Sequence, residues 1–240
     1  MIQFFKIVVF QSLPRSCDAA FSAAINLDNL SRRRCTEGTR VDIIAQIVAW
    51  VKENDSTKAP PVYWLTGLAG LGKTTIAYTI CELLDEAHLP FASFFCSLQL
   101  DSRNSKLLVT TLCRDLAELY SSYAASILPV LETNSKVVDA GLRIQINELL
   151  AKPWQASMAQ RQDRDLSTPI VVVDALDEND RGSEFLEELL RVIHANKLSG
   201  IKFLVTSRRT PKLSTYANHS LRMRFASSTR SILPMFNTIS

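Results

Sequence analysis

The chain has 240 residues, 47% of them hydrophobic and 21% charged, with a formal net charge of +3. That balance suits one globular domain with a full core and excludes a disordered polyelectrolyte. Five cysteines (Cys17, Cys35, Cys81, Cys96, Cys113) without CxxC or other ligand spacing exclude a zinc module and a disulfide scaffold, and point to a reducing, cytoplasmic setting.

Met1–Phe10 is apolar, but Gln3 and Lys6 interrupt it. It is too short to span a bilayer and lacks the basic start of a secretory signal. Residues 11–38 are Ser/Arg-rich without a sustained period, so 1–38 reads as a poorly ordered leader. Thr39 is placed to cap a helix over about 40–52, with Asp42 at the reciprocal position and an apolar face of Val41, Ile44, Ile47, Val48 and Val51. Pro60-Pro61 ends any helix before a β-prone run at 62–66. From Lys73 to about Ala87 the spacing is helical, with Ile76, Ile80, Leu83, Leu84 and Ala87 on one face. Strands are predicted at about 91–96, 170–174 and 201–206, with an edge strand at 220–225. The insert 97–168 is mostly helical by its leucine period, and its polar end at Gln155–Ser167 reads as a surface loop. The alternation predicts an α/β fold, a three-layer α/β/α core with a mostly parallel sheet. The domain is drawn at 39–225, with an irregular tail at 226–240.

The most informative segment is Gly67-Leu68-Ala69-Gly70-Leu71-Gly72-Lys73-Thr74, a GxxxxGK(S/T) loop between a predicted strand and a predicted helix. Backbone N–H groups and the positive end of the helix converge there on a phosphate. Lys73 is placed for the β- and γ-phosphates and the Thr74 hydroxyl for Mg²⁺, and the nucleotide-binding stretch is taken to run through Thr75. Val171-Val172-Val173-Asp174 then reads as a strand covered on both faces and ending in an acid. Ligands bind at the carboxyl ends of such strands, so Asp174 is expected beside the loop as the Walker-B metal carboxylate. Asp177 and Glu178 follow, suited either to polarising the attacking water or to capping the next helix. A third apolar strand ends in Thr206-Ser207-Arg208-Arg209. Its hydroxyls suit the γ-phosphate or the water, and Arg208 suits the phosphate charge or the Asp177/Glu178 loop.

The set Cys35-Thr36-Glu37-Gly38-Thr39-Arg40, YWLTGLAGLGKTTIA, FASFFCS, VVVDALDE and FLVTSRR resembles the NACHT domain of STAND-class P-loop NTPases, and the nephrocystin-like modules of fungal NOD-like receptors in particular. The resemblance covers about residues 35–225. It implies ATP or ADP with Mg²⁺ as ligands, Lys73 and Thr74 as nucleotide and metal contacts, Asp174 as the metal acid, Asp177 and Glu178 as hydrolytic acids, and Arg208 as the sensor arginine. It also implies a nucleotide-gated switch with slow ATP or GTP hydrolysis that works by self-association or through other receptor domains. The chain departs from the family in stopping at Ser240, where members continue into helical and winged-helix domains. It therefore reads as a fragment of a larger receptor or as a minimal core.

Two other function classes carry the same loop: a small-molecule kinase, which needs an acceptor site, and a non-catalytic scaffold. No Asp or Glu follows Glu188, so the carboxyl-terminal part is basic. It lacks interleaved aromatics, and neither a nucleic-acid nor a membrane partner is expected.

Overall fold

Alternate residues of each central strand go to opposite sides of one sheet. Val62 and Trp64 of β1 (Val62–Thr66) pack with Phe94, Val171, Val173, Phe203 and Val205 on one face. Tyr63 and Leu65 pack with Phe95, Ile170, Val172 and Leu204 on the other. An unbroken apolar run thus fills two cores at once, as a sheet covered on both faces requires. The computed structural model describes residues 9, 11–21, 32–54, 59–97, 106–160, 167–209 and 223–227. Most of the apolar start at 1–10, the first residues of the expected edge strand (220–222) and the tail from 228 lie outside them.

The remaining strands are β2 (Phe91–Phe95), β3 (Ile170–Asp174), β4 (Lys202–Ser207) and β5 (Met223–Ser227). All pair in parallel, in the order β2-β3-β4-β1-β5. The expected edge strand is present but sits later in the chain, and it hydrogen-bonds beside β1. Asp174 was expected beside the phosphate loop; β4 lies between the loop's strand and the strand that ends in Asp174, and the Thr74 hydroxyl of the loop still hydrogen-bonds its carboxylate.

One face of the sheet carries α1 (Val41–Lys52) and α2 (Lys73–Glu86). The other carries α3 (Leu108–Leu119), α4 (Ser121–Thr133), α5 (Leu142–Gln145) and α7 (Gly182–His194), with α6 (Lys152–Gln160) packed on α4. Between α5 and α6 the chain winds through a π segment, Ile146–Ala151. Pro153 explains it: proline cannot donate to the carbonyl four residues back, and its ring crowds that carbonyl. The carbonyl is that of Leu149, and it accepts from the Tyr123 hydroxyl at 2.6 Å instead.

Three local expectations are corrected. Thr39 does not cap α1; its hydroxyl donates to the Thr36 carbonyl at 2.6 Å, and Arg40 takes the cap position with φ 56°. The turn at 36–39 captures the hydroxyl that the helix would have used. On α1 itself, Ile47 and Trp50 are the buried residues, whereas Val41 faces solvent. The stretch from Gln155 is helical as far as Gln160, because the fully buried Trp154 anchors α6: its indole N–H donates to the Ser199 carbonyl at 2.8 Å and its ring meets Tyr120 edge-on.

The leader, expected to be loose, packs on the core over its described residues. Leu13 and Ala19 are buried. The Ser16 N–H donates to Thr111 Oγ1 at 3.0 Å, and the Phe21 N–H to Ser93 Oγ at 2.9 Å. Along the outer edge of β2, the Phe95 N–H donates to the Ala19 carbonyl at 2.8 Å. Further on, the Cys35 N–H donates to Thr79 Oγ1 of α2 at 2.9 Å.

Candidate nucleotide-binding site

The loop 67–74 leaves the carboxyl end of β1 and enters α2 through two left-handed residues, Gly70 (φ 76°) and Gly72 (φ 80°). Both requirements favour glycine. Nothing lies within 4 Å of where a Cβ on Gly70 would stand, so that side of the loop is open. At Gly72 a Cβ would fall 2.3 Å from the Arg40 guanidinium, which lies across the loop and donates to the Leu71 carbonyl at 3.3 Å. Leu68 is exposed at the tip. Lys73 is buried and turned inward, its amine donating to the carbonyls of Gly67 (2.8 Å) and Leu68 (2.9 Å). Burial lowers its pKa, and the charges of Asp177 and Asp174 oppose that.

Asp174 faces the α1/α2 side by the same alternation that turns Ile170 and Val172 there. It is almost wholly buried. The hydroxyl of Thr206, on the interposed strand, donates to Asp174 Oδ1 at 2.5 Å and accepts the Ala175 N–H at 2.9 Å. The Thr74 hydroxyl also hydrogen-bonds the Asp174 carboxylate. Burial pushes the Asp174 carboxyl up, against the stabilising hydroxyls and the cations of Arg32 and Lys73. The strand interposed between β1 and β3 therefore supplies a second hydroxyl that fixes Asp174, beside that of Thr74.

Asp177 and Glu178 lie on a short 3₁₀ turn, Leu176–Glu178, after the left-handed Ala175 (φ 53°). Asp177 Oδ1 accepts the Arg208 backbone N–H at 2.7 Å, and Oδ2 accepts Arg208 Nε at 2.5 Å. Arg208 Nη2 stands 3.6 Å from Glu178 Oε1. The hydrogen bond to Asp177 raises the Arg208 pKa. Ser207, considered for the phosphate, is buried and accepts from the indole N–H of Trp64 at 2.9 Å. Arg209 Nε donates to Thr66 Oγ1 at 3.4 Å, at the root of the loop.

Sequence reasoning missed two arginines here. Arg40 presses on the loop. Arg32 lies over the Phe95 ring, 4.6 Å from its centroid, and donates to the carbonyls of Ala20 (3.3 Å) and Asp18 (3.1 Å). Phe95 is the register partner of Asp174, and Asp174 is the main charge opposing the burial that lowers the Arg32 pKa. Nothing local in the sequence marks these roles, because Leu71 and Phe95 belong to distant segments.

Among the described residues no group of three or more His, Cys, Asp or Glu side chains is placed to hold a metal ion alone. A hydroxyl and one carboxylate, Thr74 and Asp174, suit a hard cation that keeps most of its ligands as water and phosphate oxygens, as Mg²⁺ does. The open glycine turn, the inward lysine and this pair therefore fit a Mg²⁺-bound nucleoside phosphate.

No curated protein matches the chain. Among solved structures, it is similar to one titled as Drosophila ORC bound to DNA, at 14% identity and TM-score 0.42, over 79% of this chain and 30% of that one. It is also similar to C. elegans PCH-2 (14%, TM-score 0.33, 78% and 42%) and to the E. coli MS115-1 HORMA:CdnC:Trip13 complex (14%, TM-score 0.31, 78% and 57%). The chain thus spans between 30% and 57% of the length of these structures. The family model described as nephrocystin 3, N-terminal, matches residues 43–208, a span that holds the loop, both acidic segments and Arg208. Matched over well more than half of its length, the chain belongs to the nephrocystin 3, N-terminal family, and its core is a nucleotide-binding P-loop module.

Proposed function

We propose that the chain is the NACHT-type switch module of a NOD-like signalling receptor, which binds ATP or ADP with Mg²⁺ and hydrolyses the triphosphate slowly. The observation that carries this is the Lys73–Thr74–Asp174–Thr206 constellation at the carboxyl edge of the sheet. Lys73 and the loop N–H groups bind the phosphates, while Thr74 and Asp174 hold the cation. A Mg²⁺ held by them would supply charge neutralisation to the phosphates. Thr206 keeps Asp174 oriented, and Glu178 supplies a carboxylate for water. Signal transmission then takes the form of nucleotide-dependent assembly with other copies or receptor domains, in the cytoplasm.

Lys73→Ala tests the reading. A charge-assisted contact of this kind is worth ~1.5–3 kcal/mol, so fluorescent ATP-analogue binding weakens at least about tenfold while circular dichroism is unchanged. Equal affinity of the variant and the wild type would overturn the assignment. Single-turnover phosphate release is expected at or below ~10⁻² s⁻¹, as for other switch NTPases acting without an activator.

A further inference from the structure

We propose that Asp177 is a positioning residue, which holds Arg208 back from the phosphate site and so sets the discrimination between nucleoside triphosphate and diphosphate. This rests on the switch reading of the same site. Asp177 gives both oxygens to one residue, at 2.7 Å to the backbone N–H of Arg208 and 2.5 Å to its Nε. Its side chain is 5% exposed, whereas that of Arg208 is 43% exposed. Both carboxylate oxygens are thus taken, one by a backbone N–H and one by the guanidinium, and the side chain is closed to solvent. The guanidinium, by contrast, keeps an outward side.

The pair also stands at the sheet edge from which the phosphate loop leaves: Ser207, just before Arg208, is the register partner of Thr66, and Arg209 Nε donates to Thr66 Oγ1 at 3.4 Å. Arg208 Nη2 faces Glu178 at 3.6 Å, so one guanidinium bridges both acids of the turn. A planar guanidinium matches a phosphate as well as it matches a carboxylate. A γ-phosphate beside Lys73 therefore competes with Asp177 for Arg208, and a diphosphate, one phosphate shorter, does not. Transfer of Arg208 to the γ-phosphate leaves the turn 176–178 without its clamp and makes Glu178 the acid that faces water. Asp177 is then the counterweight that keeps Arg208 from answering to a diphosphate.

The test is the ratio of ATP to ADP affinity, measured with fluorescent analogues on the full chain for the wild type, Asp177→Asn, Arg208→Ala and the double variant. Asn keeps an acceptor for the Arg208 N–H and removes only the charge. The expected result is an ATP:ADP preference raised about fivefold or more in Asp177→Asn and lowered in Arg208→Ala. In the Arg208→Ala background, Asp177→Asn changes nothing further. An unchanged ratio in Asp177→Asn with phosphate release abolished would overturn the proposal and make Asp177 a hydrolytic acid. An equal shift in both backgrounds overturns it as well. Should Asp177→Asn fail to fold, Arg208→Ala reads the pair from the other side, and a ratio unaltered there sinks the idea. Lys73→Ala separates the two levels. If the wild type binds neither nucleotide, the switch reading falls with this one. If binding depends on Lys73 but the ratio never moves, only this inference falls.

Discussion

Asp115 sits where α3 meets the leader and β2, with Arg15 Nη2 2.9 Å from one carboxylate oxygen and the Ser93 N–H 3.4 Å from the other. Burial pushes its carboxyl up to about 6 despite Arg15 and the Ser93 N–H, with Glu118 adding to the rise and Arg114 opposing it. The folded chain thus keeps a proton that the unfolded chain has released. Stability from this group is fully present below the unfolded value of ~3.9 and is lost as pH rises through about 6. The displacement corresponds to about 3 kcal/mol. Asp115→Asn removes the titration, so its melting temperature falls less between pH 4 and 6.5 than that of the wild type. Superimposable pH profiles would show that Asp115 does not titrate with folding. Residues of this kind are what the sequence hides. Gly70, Gly72, Lys73 and Thr74 were legible because their chemistry is local: a turn, a charge and a hydroxyl in consecutive positions. Asp115, Arg32 and Lys202 were not, because each acquires its role from a partner tens of residues away.

At the scale of elements, β4 works at both ends. At its start the buried Lys202 amine donates to the carbonyls of Trp50 (2.7 Å), Val51 (3.1 Å) and Glu53 (2.5 Å), closing the carboxyl end of α1. The last carbonyls of a helix have no partner within it. Lys202→Met keeps the apolar stem and leaves these carbonyls unpaired, at a cost of about 2–3 kcal/mol. Urea unfolding reads this as a lower midpoint at constant slope. An unmoved midpoint would mean that solvent replaces the amine. The strands themselves were predicted well because apolar runs of this length between turns have few other uses. Helix ends fared worse. The Thr39 hydroxyl was drawn into its own turn, and the polar look of Gln155–Ser167 concealed an α6 pinned by Trp154. The π segment came from a single proline acting through Leu149 and Tyr123, a tertiary compensation with no local signature.

Over the whole molecule, the three layers followed from the β–α alternation, but the sheet order did not. A single sequence specifies which segments are strands; it does not say that β4 inserts between β1 and β3, and that insertion adds Thr206 to Thr74 of the loop as a support of Asp174. Among the described residues no helix is long and apolar enough to cross a membrane. The family match begins at residue 43, yet the leader ahead of it is fastened to the core at Ser16, Ala19, Phe21 and Cys35. Its attachment along β2 has a further meaning. A bare strand edge is a template on which another chain can lay its own backbone. Here the Phe95 N–H is taken by Ala19, and the Ser93 N–H by Asp115, which Arg15 holds. A version starting at residue 39 would expose that edge and the apolar floor under Leu13 and Ala19. It is expected to sediment as concentration-dependent multimers under conditions where the full chain shows a smaller, concentration-independent species. Identical sedimentation of the two would mean that the edge is guarded by something other than the leader. On this view the described stretch 11–21 acts as a built-in chaperone for one strand, shielding it from its copies in other molecules.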